Sequence, residues 1–366
     1  MKIGILTQPL NANYGGVLQN YALQEILRRM GHEPLTLNRH RNRKDSPLKL
    51  LAKSFIRLTK PRYEYGYLSY KKRDLLARNI NRFLTDNLNV TPRLLTENHF
   101  LEVIENEKCS AYIVGSDQCW RPIYSPNITD YYFDFCSEDD TTKIAYAASF
   151  GTAEWEYSHY LTDKVKSLIK NFDAVSVRED SAVKLCRDYL DTEATWVLDP
   201  TMLLDAEDYK KFFNHKTGTG LTSYFLEESD LSRQLENKVL ETINPKRITR
   251  NNTGPFIKRF DSLKHYQAIP VETWLSNIAH AEYVITDSFH GVVFSIIFNK
   301  PFSVVLNSTR GNTRIESLLR DFNLQSSIYI PNQNFILPHY DWDRINAHLA
   351  TRKEESVKWL KTALTQ

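Results

Sequence analysis

The sequence predicts an α/β protein made of two domains, each a parallel sheet covered by helices. Short apolar strands alternate with segments of helical periodicity along most of the chain, an order typical of parallel sheets. Small and polar residues follow several of these strands, at the positions where open α/β sheets bind ligands. The chain has 366 residues, of which 42% are hydrophobic, so it is long enough to form two cores.

The first domain is predicted over residues 1–214. It begins with an apolar strand at 2–7, a turn that contains Gly15 and Gly16, and a helix over 17–30. The elements that follow are strands at 111–114, 143–151, 174–179 and 195–201 and helices at 163–171 and 181–190. Their alternation predicts a parallel, helix-covered sheet.

The second domain is predicted over residues 219–335, because loop residues cluster at 214–220. Its predicted strands are 221–226, 282–287 and 302–306, and its predicted helices are 231–243, 273–281 and 314–322. Residues 340–366 then show the pattern of a long terminal helix, which we expect to pack back across the first domain.

A basic and aromatic insertion is predicted at about 39–98. Between Arg39 and Arg82 there are fourteen Lys or Arg residues against three acidic ones, with leucines and tyrosines interleaved. This composition fits a surface that meets anionic headgroups at the inner membrane leaflet. A solvated helical excursion of the first domain fits at least as well, because the charges are not sorted onto one helix face. No recognised nucleic-acid-binding motif accompanies the charge, so nucleic acid is not a predicted partner.

We expect a cytoplasmic protein. The segment from Met1 to Thr7 enters a strand directly, without the charged and apolar sections of a signal peptide. No run of residues approaches the roughly 18 to 20 apolar residues of a membrane span. The four cysteines have no C-x-x-C spacing, so neither a zinc cluster nor a disulfide framework is predicted.

The most informative segment is 282–298, an apolar strand that stops at Asp287 and continues as an apolar helix after Gly291. Ser288 and His290 lie at the junction. A histidine at the end of a strand and the start of a helix is well placed to act on an anionic substrate, since the helix dipole favours negative charge there. The alternative is that His290 is a turn or core residue without a chemical role.

Two further segments offer cations at strand ends. Arg178 lies where the predicted strand at 174–179 ends, and its guanidinium matches a phosphate or carboxylate, although it could instead pair with Glu179 or Asp180. The segment 308–314 follows a strand and precedes a helix, so its amides and two arginines could hold an anion.

No metal or cofactor site is predicted. Neither glycine-bearing turn, at 13–16 or at 115–117, matches a dinucleotide-binding motif or a P-loop. Three carboxylates at strand ends, Asp117, Asp199 and Asp287, have no metal-binding spacing, and helix capping explains them equally well.

Taken in order, these segments resemble the polysaccharide pyruvyl transferase family over nearly the whole chain. The segments are Asn13-Tyr-Gly-Gly16, Val114-Gly-Ser-Asp-Gln118, Ser176-Val-Arg-Glu179, Leu198-Asp-Pro-Thr201, Thr286-Asp-Ser-Phe-His-Gly291 and Arg310-Gly-Asn-Thr-Arg314. The resemblance implies a fold similar to the GT-B glycosyltransferases, with two Rossmann-like domains facing across a cleft and a terminal helix crossing back. It also implies phosphoenolpyruvate as donor and a pair of sugar hydroxyls as acceptor, giving a pyruvate ketal in a surface-polysaccharide precursor.

Carried onto this chain, the family's arginine is Arg178 and its histidine is His290, which we predict to be catalytic. Many members have Arg-Leu before that histidine, where this chain has Ser288-Phe289. We therefore expect Arg310 or Arg314 to supply the second positive charge.

The remaining site predictions divide between the two substrates, and no metal or further cofactor is assigned. The residues predicted to bind the donor are Ser288, Gly291, Arg310, Asn312, Arg314 and Ser116. The residues predicted to bind the acceptor, which we expect to be a lipid-linked oligosaccharide, are Asn13, Tyr14, Gly15, Gly16, Asp117 and Gln118.

Two other functions stay open at this point. A nucleotide-sugar-dependent glycosyltransferase of the same architecture would place His290 against a diphosphate. A non-catalytic carbohydrate-binding or assembly subunit would bind no donor at all.

Overall fold

A computed structural model describes most of the chain. The described residues are 1–10, 13–41, 55, 62–64, 68, 70–136, 141–213, 219–251, 256–258, 262–306 and 311–365. The predicted boundary between the domains lies largely outside them, because residues 214–218 are not described.

The described strands belong to two parallel sheets and one short antiparallel ribbon. They are β1 (Lys2–Leu6), β2 (Glu33–Thr36), β3 (Arg62–Glu64), β4 (Ala111–Val114), β5 (Thr142–Ala148), β6 (Ala174–Val177), β7 (Thr195–Trp196), β8 (Leu221–Tyr224), β9 (Ile248–Arg250), β10 (Phe256–Lys258), β11 (Tyr283–Thr286) and β12 (Phe302–Val304). The first sheet has the order β2-β1-β4-β5-β6-β7 and the second the order β12-β11-β8-β9, all strands pairing in parallel. We call each sheet with its helices the first and the second unit.

Helices connect these strands. They are α1 (Tyr14–Arg29), α2 (Tyr70–Leu76), α3 (Arg78–Asn87), α4 (Glu97–Glu107), α5 (His159–Ile169), α6 (Asp180–Leu190), α7 (Ala206–Lys210), α8 (Asp230–Ile243), α9 (Val271–Ala279), α10 (Phe289–Ile297), α11 (Thr313–Asp321) and α12 (Trp342–Ala363). The predicted α/β class is confirmed, because two parallel sheets are each covered by helices. No helix in the described part of the chain is both long and apolar enough to span a bilayer.

The strand predicted at 195–201 differs from the structure. Pairing stops at Trp196, and a short 3₁₀ helix occupies Pro200–Leu203. Proline cannot donate to a strand ladder and suits the first turn of a helix, where Asp199 caps the amide of Thr201. Strands β2 and β9 were not predicted, because four or fewer residues give no readable alternation.

The order of strands reverses once in each sheet. In the first sheet the reversal lies between β1 and β4, whose carboxyl ends lead to Thr7 and Ser116. In the second sheet it lies between β8 and β11, and β11 leads to Asp287 and His290. In open α/β sheets such reversals form the crevice that holds a ligand.

The two units meet through the first turns of α1 and α10. Tyr14, the first residue of α1, is fully buried and stacks on Trp274 of α9 with ring centroids 5.3 Å apart. Its hydroxyl donates to the carbonyl of Ile269 at 2.9 Å. One cluster of buried apolar side chains runs through both units, so the interface is continuous with the cores.

Helix α12 returns from the second unit to the first, as predicted. The Ser356 hydroxyl accepts a hydrogen bond from the Leu198 amide at 3.0 Å. Arg352 donates to Asp321 of the second unit at 3.0 Å and to the Trp196 carbonyl of the first at 3.3 Å. One helix therefore ties both units together, close to the segment that carries Asp199.

Much of the basic insertion lies outside the described residues, and part of what is described is structural. Arg39 is buried, and its guanidinium binds Asp130 at 2.7 Å and Glu97 at 2.5 Å. Strand β3 pairs with β10, which lies between β9 and α9 of the second unit in sequence, and Leu76 accepts a hydrogen bond from the Ala268 amide at 2.9 Å. The insertion thus makes a second connection between the units.

Candidate active site

Arg178 is a buried cation at the carboxyl edge of the first sheet. It directly follows β6, and its side chain is 1% exposed. Its Nη1 donates to Asp199 Oδ2 at 2.8 Å and to Ser116 Oγ at 3.1 Å. Its Nη2 lies 3.7 Å from Asp117 Oδ1, an ion-pair distance too long for a hydrogen bond. The guanidinium is therefore anchored by one of its three nitrogens.

The neighbours of Arg178 in sequence have other partners. The Glu179 carboxylate accepts from the Gly151 amide at 3.2 Å, and Asp180 forms an ion pair with Arg320 of the second unit. Among the described residues, Arg178 makes an ion pair or hydrogen bond with neither acid. The structure therefore does not support the alternative that Arg178 pairs only with its sequence neighbours.

Asp199 is a buried carboxylate whose two oxygens have different partners. Oδ1 accepts from the amide and the hydroxyl of Thr201, at 2.9 and 2.6 Å. Oδ2 accepts from Ser116 Oγ at 2.7 Å as well as from Arg178. Burial alone would raise the pKa of Asp199, but His290, Arg178 and the Thr201 hydroxyl outweigh it and hold that pKa well below its usual range. The carboxylate is consequently ionised at neutral pH.

His290 lies in the first turn of α10 and is 6% exposed. Ser288 caps this helix by accepting a hydrogen bond from the Gly291 amide at 3.4 Å. The Nε2 atom of His290 is 3.7 Å from Asp199 Oδ2 and has no hydrogen-bond partner among the described residues. On its other side, a β-carbon added to Gly15 of α1 would lie 2.0 Å from His290 Nδ1. The imidazole is therefore held between the two units.

A second cation, Arg314, lies near Arg178 at the start of α11. Burial and the charge of Arg178 lower the pKa of Arg314 to about 10, against the opposing charges of Asp117 and Glu179. Arg314 remains charged at neutral pH, so two positive charges share this edge of the first sheet. The ring of Phe289, from the second unit, lies under Arg178 with its centroid 4.5 Å from Cζ.

Several buried polar atoms at this interface have no hydrogen-bond partner among the described residues. They are Arg178 Nε and Nη2, His290 Nε2 and Glu179 Oε2. Leaving a buried polar atom unpaired costs about 1 to 3 kcal/mol, so such a cluster is typical of a site that a polar ligand completes. Nε and Nη2 form one edge of the guanidinium, the geometry that binds a phosphate or carboxylate through two hydrogen bonds.

The structure brings most of the residues predicted to bind a donor to this interface. Ser116 contacts Arg178, and Ser288 and Gly291 form the turn that carries His290. Asn312 immediately precedes α11, and Arg310 lies outside the described residues. A β-carbon added to neighbouring Gly311 would lie 1.7 Å from the Gly151 carbonyl, so this loop rests directly on the first unit.

The residues predicted to bind an acceptor have more varied positions. Asn13 is exposed and caps α1, accepting from the Gly15 amide at 3.1 Å. Gly16 faces Asp117, whose Oδ2 would lie 3.3 Å from an added β-carbon, and Gln118 is half-buried beside Gly151. Tyr14 is enclosed between the units, so its side chain presents no surface to an open cleft.

Three contributors to the site were not predicted from the sequence: Asp199, Thr201 and Phe289. Asp199 and Thr201 belong to the Leu198-Asp-Pro-Thr201 segment, whose polar residues follow a strand and therefore carried a usable signal. Phe289 carried no such signal, because an apolar residue at the start of an apolar helix is normally predicted to be a core residue. No group of three or more metal-ligating side chains occurs among the residues that the structure describes.

Fold and site together define a two-unit α/β protein with buried arginine, histidine and aspartate side chains between the carboxyl edges of its sheets. The family model for polysaccharide pyruvyl transferase matches residues 13–309. The chain belongs to that family, and it is accordingly a transferase. A comparison with curated protein sequences gives no match.

Solved structures of low sequence identity align with nearly the whole chain. UDP-GlcNAc 2-epimerase from Neisseria meningitidis, bound to UDP-GlcNAc, is 7% identical with a TM-score of 0.47, covering 99% of this chain and 94% of its own. A putative UDP-N-acetylglucosamine 2-epimerase from Listeria monocytogenes is 10% identical with a TM-score of 0.48. The alignment covers 98% of this chain and 90% of the epimerase chain. An alpha-glucosyltransferase in complex with UDP is 8% identical with a TM-score of 0.45. The alignment covers 98% of this chain and 95% of the glucosyltransferase chain.

Proposed function

We propose that this protein transfers pyruvate from phosphoenolpyruvate to a pair of hydroxyls on a sugar of a surface-polysaccharide precursor. Membership of the pyruvyl transferase family supports the reaction class. The observation that carries the donor assignment is the Nε and Nη2 edge of the buried Arg178 guanidinium, which has no hydrogen-bond partner among the described residues and lies beside Arg314 and His290. Phosphoenolpyruvate offers both a phosphate and a carboxylate to such a site.

In this proposal the cations and helix N-termini bind the donor. The Nε and Nη2 edge of Arg178 binds a phosphate or carboxylate through two hydrogen bonds, and Arg314 supplies the second positive charge. The first turns of α10 and α11 add amide donors and favourable helix dipoles, with Ser288, Gly291 and Asn312 orienting the donor. Arg310 is proposed as a further donor contact.

The chemistry begins with His290 as general acid. The imidazolium gives a proton to C3 of phosphoenolpyruvate, which becomes a methyl group, and C2 becomes electrophilic. One sugar hydroxyl oxygen attacks C2, and the bond from C2 to the phosphate oxygen breaks. The second hydroxyl oxygen then closes the ketal at C2. Of the two protons that the hydroxyls lose, one restores His290 and the other leaves on phosphate, so no metal or further cofactor is required.

We place the acceptor on the first-unit side of the site, beside Asn13, Gly15, Gly16, Asp117 and Gln118. A lipid-linked oligosaccharide would bring the enzyme to the inner face of the membrane, with the basic insertion contacting anionic headgroups. In that case the protein binds vesicles that contain phosphatidylserine at low salt and leaves them at high salt. Failure to bind such vesicles at low salt would remove the membrane contact from the proposal but not the reaction.

The donor assignment is tested by thermal unfolding with phosphoenolpyruvate, UDP and CMP as separate ligands. A ligand at 100 times its Kd stabilises the folded state by about 2.7 kcal/mol, which a melting curve resolves. We expect stabilisation by phosphoenolpyruvate alone, and its loss in Arg178→Lys, since lysine keeps the charge but not the two-donor edge. Stabilisation by UDP or CMP alone would instead favour a nucleotide-sugar-dependent glycosyltransferase, with His290 against the diphosphate. Stabilisation by none of them would favour the non-catalytic subunit.

A further inference from the structure

We propose that Asp199 is the positioning residue of this site. Its carboxylate orients the guanidinium of Arg178 in the first unit. The same carboxylate stabilises the protonated form of the His290 imidazole in the second unit. This inference rests on the proposed function for its catalytic meaning, whereas the contacts on which it stands are independent of any donor.

The two oxygens of Asp199 have separable tasks. Oδ1 is fixed to its own segment by the amide and hydroxyl of Thr201, at 2.9 and 2.6 Å. This leaves Oδ2 to face the interface, where it accepts from Ser116 and Arg178 and lies 3.7 Å from His290 Nε2. Because Oδ1 is held locally, the position of Oδ2 is set before any ligand arrives.

The contact to Arg178 determines which edge of the guanidinium is available. Asp199 Oδ2 accepts a hydrogen bond from Nη1 at 2.8 Å, which fixes the orientation of the guanidinium. The edge formed by Nε and Nη2 has no hydrogen-bond partner among the described residues. Phe289 closes one face of the same guanidinium. A two-donor edge held in this way loses little freedom when an anion binds, which favours affinity.

The contact to His290 is electrostatic. A full negative charge 3.7 Å from Nε2 in a buried site favours the protonated imidazole, and Gly15 prevents the ring from moving away on the opposite side. The charge of Asp199 also reaches Tyr146 and Tyr209, but burial raises the pKa of both phenols well above their usual range, so they stay neutral. The groups that can place a positive charge beside Asp199 are therefore Arg178 and, when it carries a second proton, His290.

Since Asp199 and Arg178 belong to the first unit and His290 to the second, the general acid acquires its counter-charge only where the units meet. Separating the units would remove the carboxylate from His290 and leave both charges less well compensated. The site is thus complete only in the closed arrangement that α12 and the insertion hold together.

The test follows the protonation of His290 in Asp199→Asn, without any donor. The protein is labelled with ¹³C at the histidine ε1 position, and the His290 signal is identified by its loss in His290→Gln. We expect the His290 titration curve of Asp199→Asn to move to lower pH than in the unsubstituted protein. Asp188→Asn is the matched control, because it makes the same substitution at an exposed carboxylate of α6 whose ion-pair partner is Arg187, and its His290 curve should stay in place. Coincident curves for Asp199→Asn and the unsubstituted protein would overturn the proposal.

Asp199→Glu keeps the test decisive if the asparagine variant does not fold. Glutamate retains the charge but displaces the oxygen, so kcat should fall on the order of 10-fold to 10²-fold, the cost of misplacing a group by about 1 Å. An unchanged kcat in Asp199→Glu would contradict the positioning role. If phosphoenolpyruvate does not bind the unsubstituted protein, the proposed function is wrong. The titration result would still hold, because it is measured without any donor.

Discussion

His290 of the second unit lies with Nε2 3.7 Å from Oδ2 of Asp199 in the first unit. The same oxygen accepts from Arg178 at 2.8 Å, so the two residues predicted to be catalytic share one carboxylate across the interface. The groups that we propose to act in catalysis are therefore brought together only where the two units meet. Substitutions at this contact should separate effects on catalysis, on stability and on the fit of the two units.

His290→Ala should lower kcat on the order of 10²-fold to 10⁴-fold, because it removes the proposed general acid. The matched control is His159→Ala, since His159 is exposed at the start of α5 and takes no part in the site. The measurement is steady-state release of phosphate from phosphoenolpyruvate with a sugar acceptor, on variants whose circular dichroism is native. A folded His290→Ala protein with undiminished kcat would remove His290 from the chemistry.

Arg178→Ala should destabilise the protein by roughly 3 to 5 kcal/mol, because it leaves Asp199 ionised, buried and without its hydrogen-bonded cation. Combining it with Asp199→Asn should recover part of that loss, whereas binding of phosphoenolpyruvate should remain absent. Chemical denaturation of the two single variants and the double variant gives the coupling energy. Arg187→Ala, at a 61% exposed side chain, should change the free energy of unfolding by less than about 0.5 kcal/mol. Strictly additive effects of the two site substitutions would contradict the ion pair.

Gly15→Ala should abolish most activity while leaving the fold intact. The new β-carbon would lie 2.0 Å from His290 Nδ1, so the imidazole must move, and a displacement of about 1 Å can cost 10²-fold in rate. Gly16→Ala adds the same atom one residue further along α1, where the nearest atom, Asp117 Oδ2, is 3.3 Å away. We therefore expect a much smaller loss of kcat in Gly16→Ala. Equal effects of the two substitutions would mean that Gly15 does not act through His290.

Stability should fall in mild acid because of His40. Burial, aided by the charge of Arg93, lowers the pKa of His40 to about 4 from an ordinary value of 6.5. As pH drops below 6.5, His40 binds a proton in the unfolded chain, whereas in the folded protein it stays neutral until about pH 4. The free energy of unfolding should therefore decline across that window, by an amount on the order of 3 kcal/mol from this group.

His40→Gln isolates that contribution. Glutamine keeps a donor for Asn38 Oδ1, which His40 Nε2 approaches at 2.8 Å, but it does not titrate. Urea unfolding at several pH values should show a shallower dependence in the variant between pH 6.5 and 4. Parallel curves would show that His40 is not the group responsible.

Much of the fold was predictable because its signals are local. Strand and helix alternate in sequence, and the junctions at Arg178 and His290 carry charged groups where strands end, so both residues could be singled out. The resemblance over six segments added the arrangement of the units and the returning helix α12. Short elements such as β2 escaped prediction, because four residues that include a proline show no period.

The partnership of Asp199 could not be predicted in the same way. Its role as a cap is local, and Oδ1 does cap Thr201. Its contact with His290 joins residues that are distant in sequence and belong to different sheets, so only packing of the units reveals it. For the same reason the enclosure of Tyr14 could not be predicted: it was predicted to bind the acceptor, but its ring is buried against Trp274 of the second unit.

The most direct test of the proposed reaction is proton NMR of phosphoenolpyruvate incubated with the protein and a panel of p-nitrophenyl hexosides. The account predicts a new methyl singlet from a pyruvate ketal, in an amount equal to the phosphate released, absent with His290→Ala and present with His159→Ala. Transfer from a UDP-sugar or CMP-sugar to the same hexosides, with phosphoenolpyruvate left intact, would contradict it.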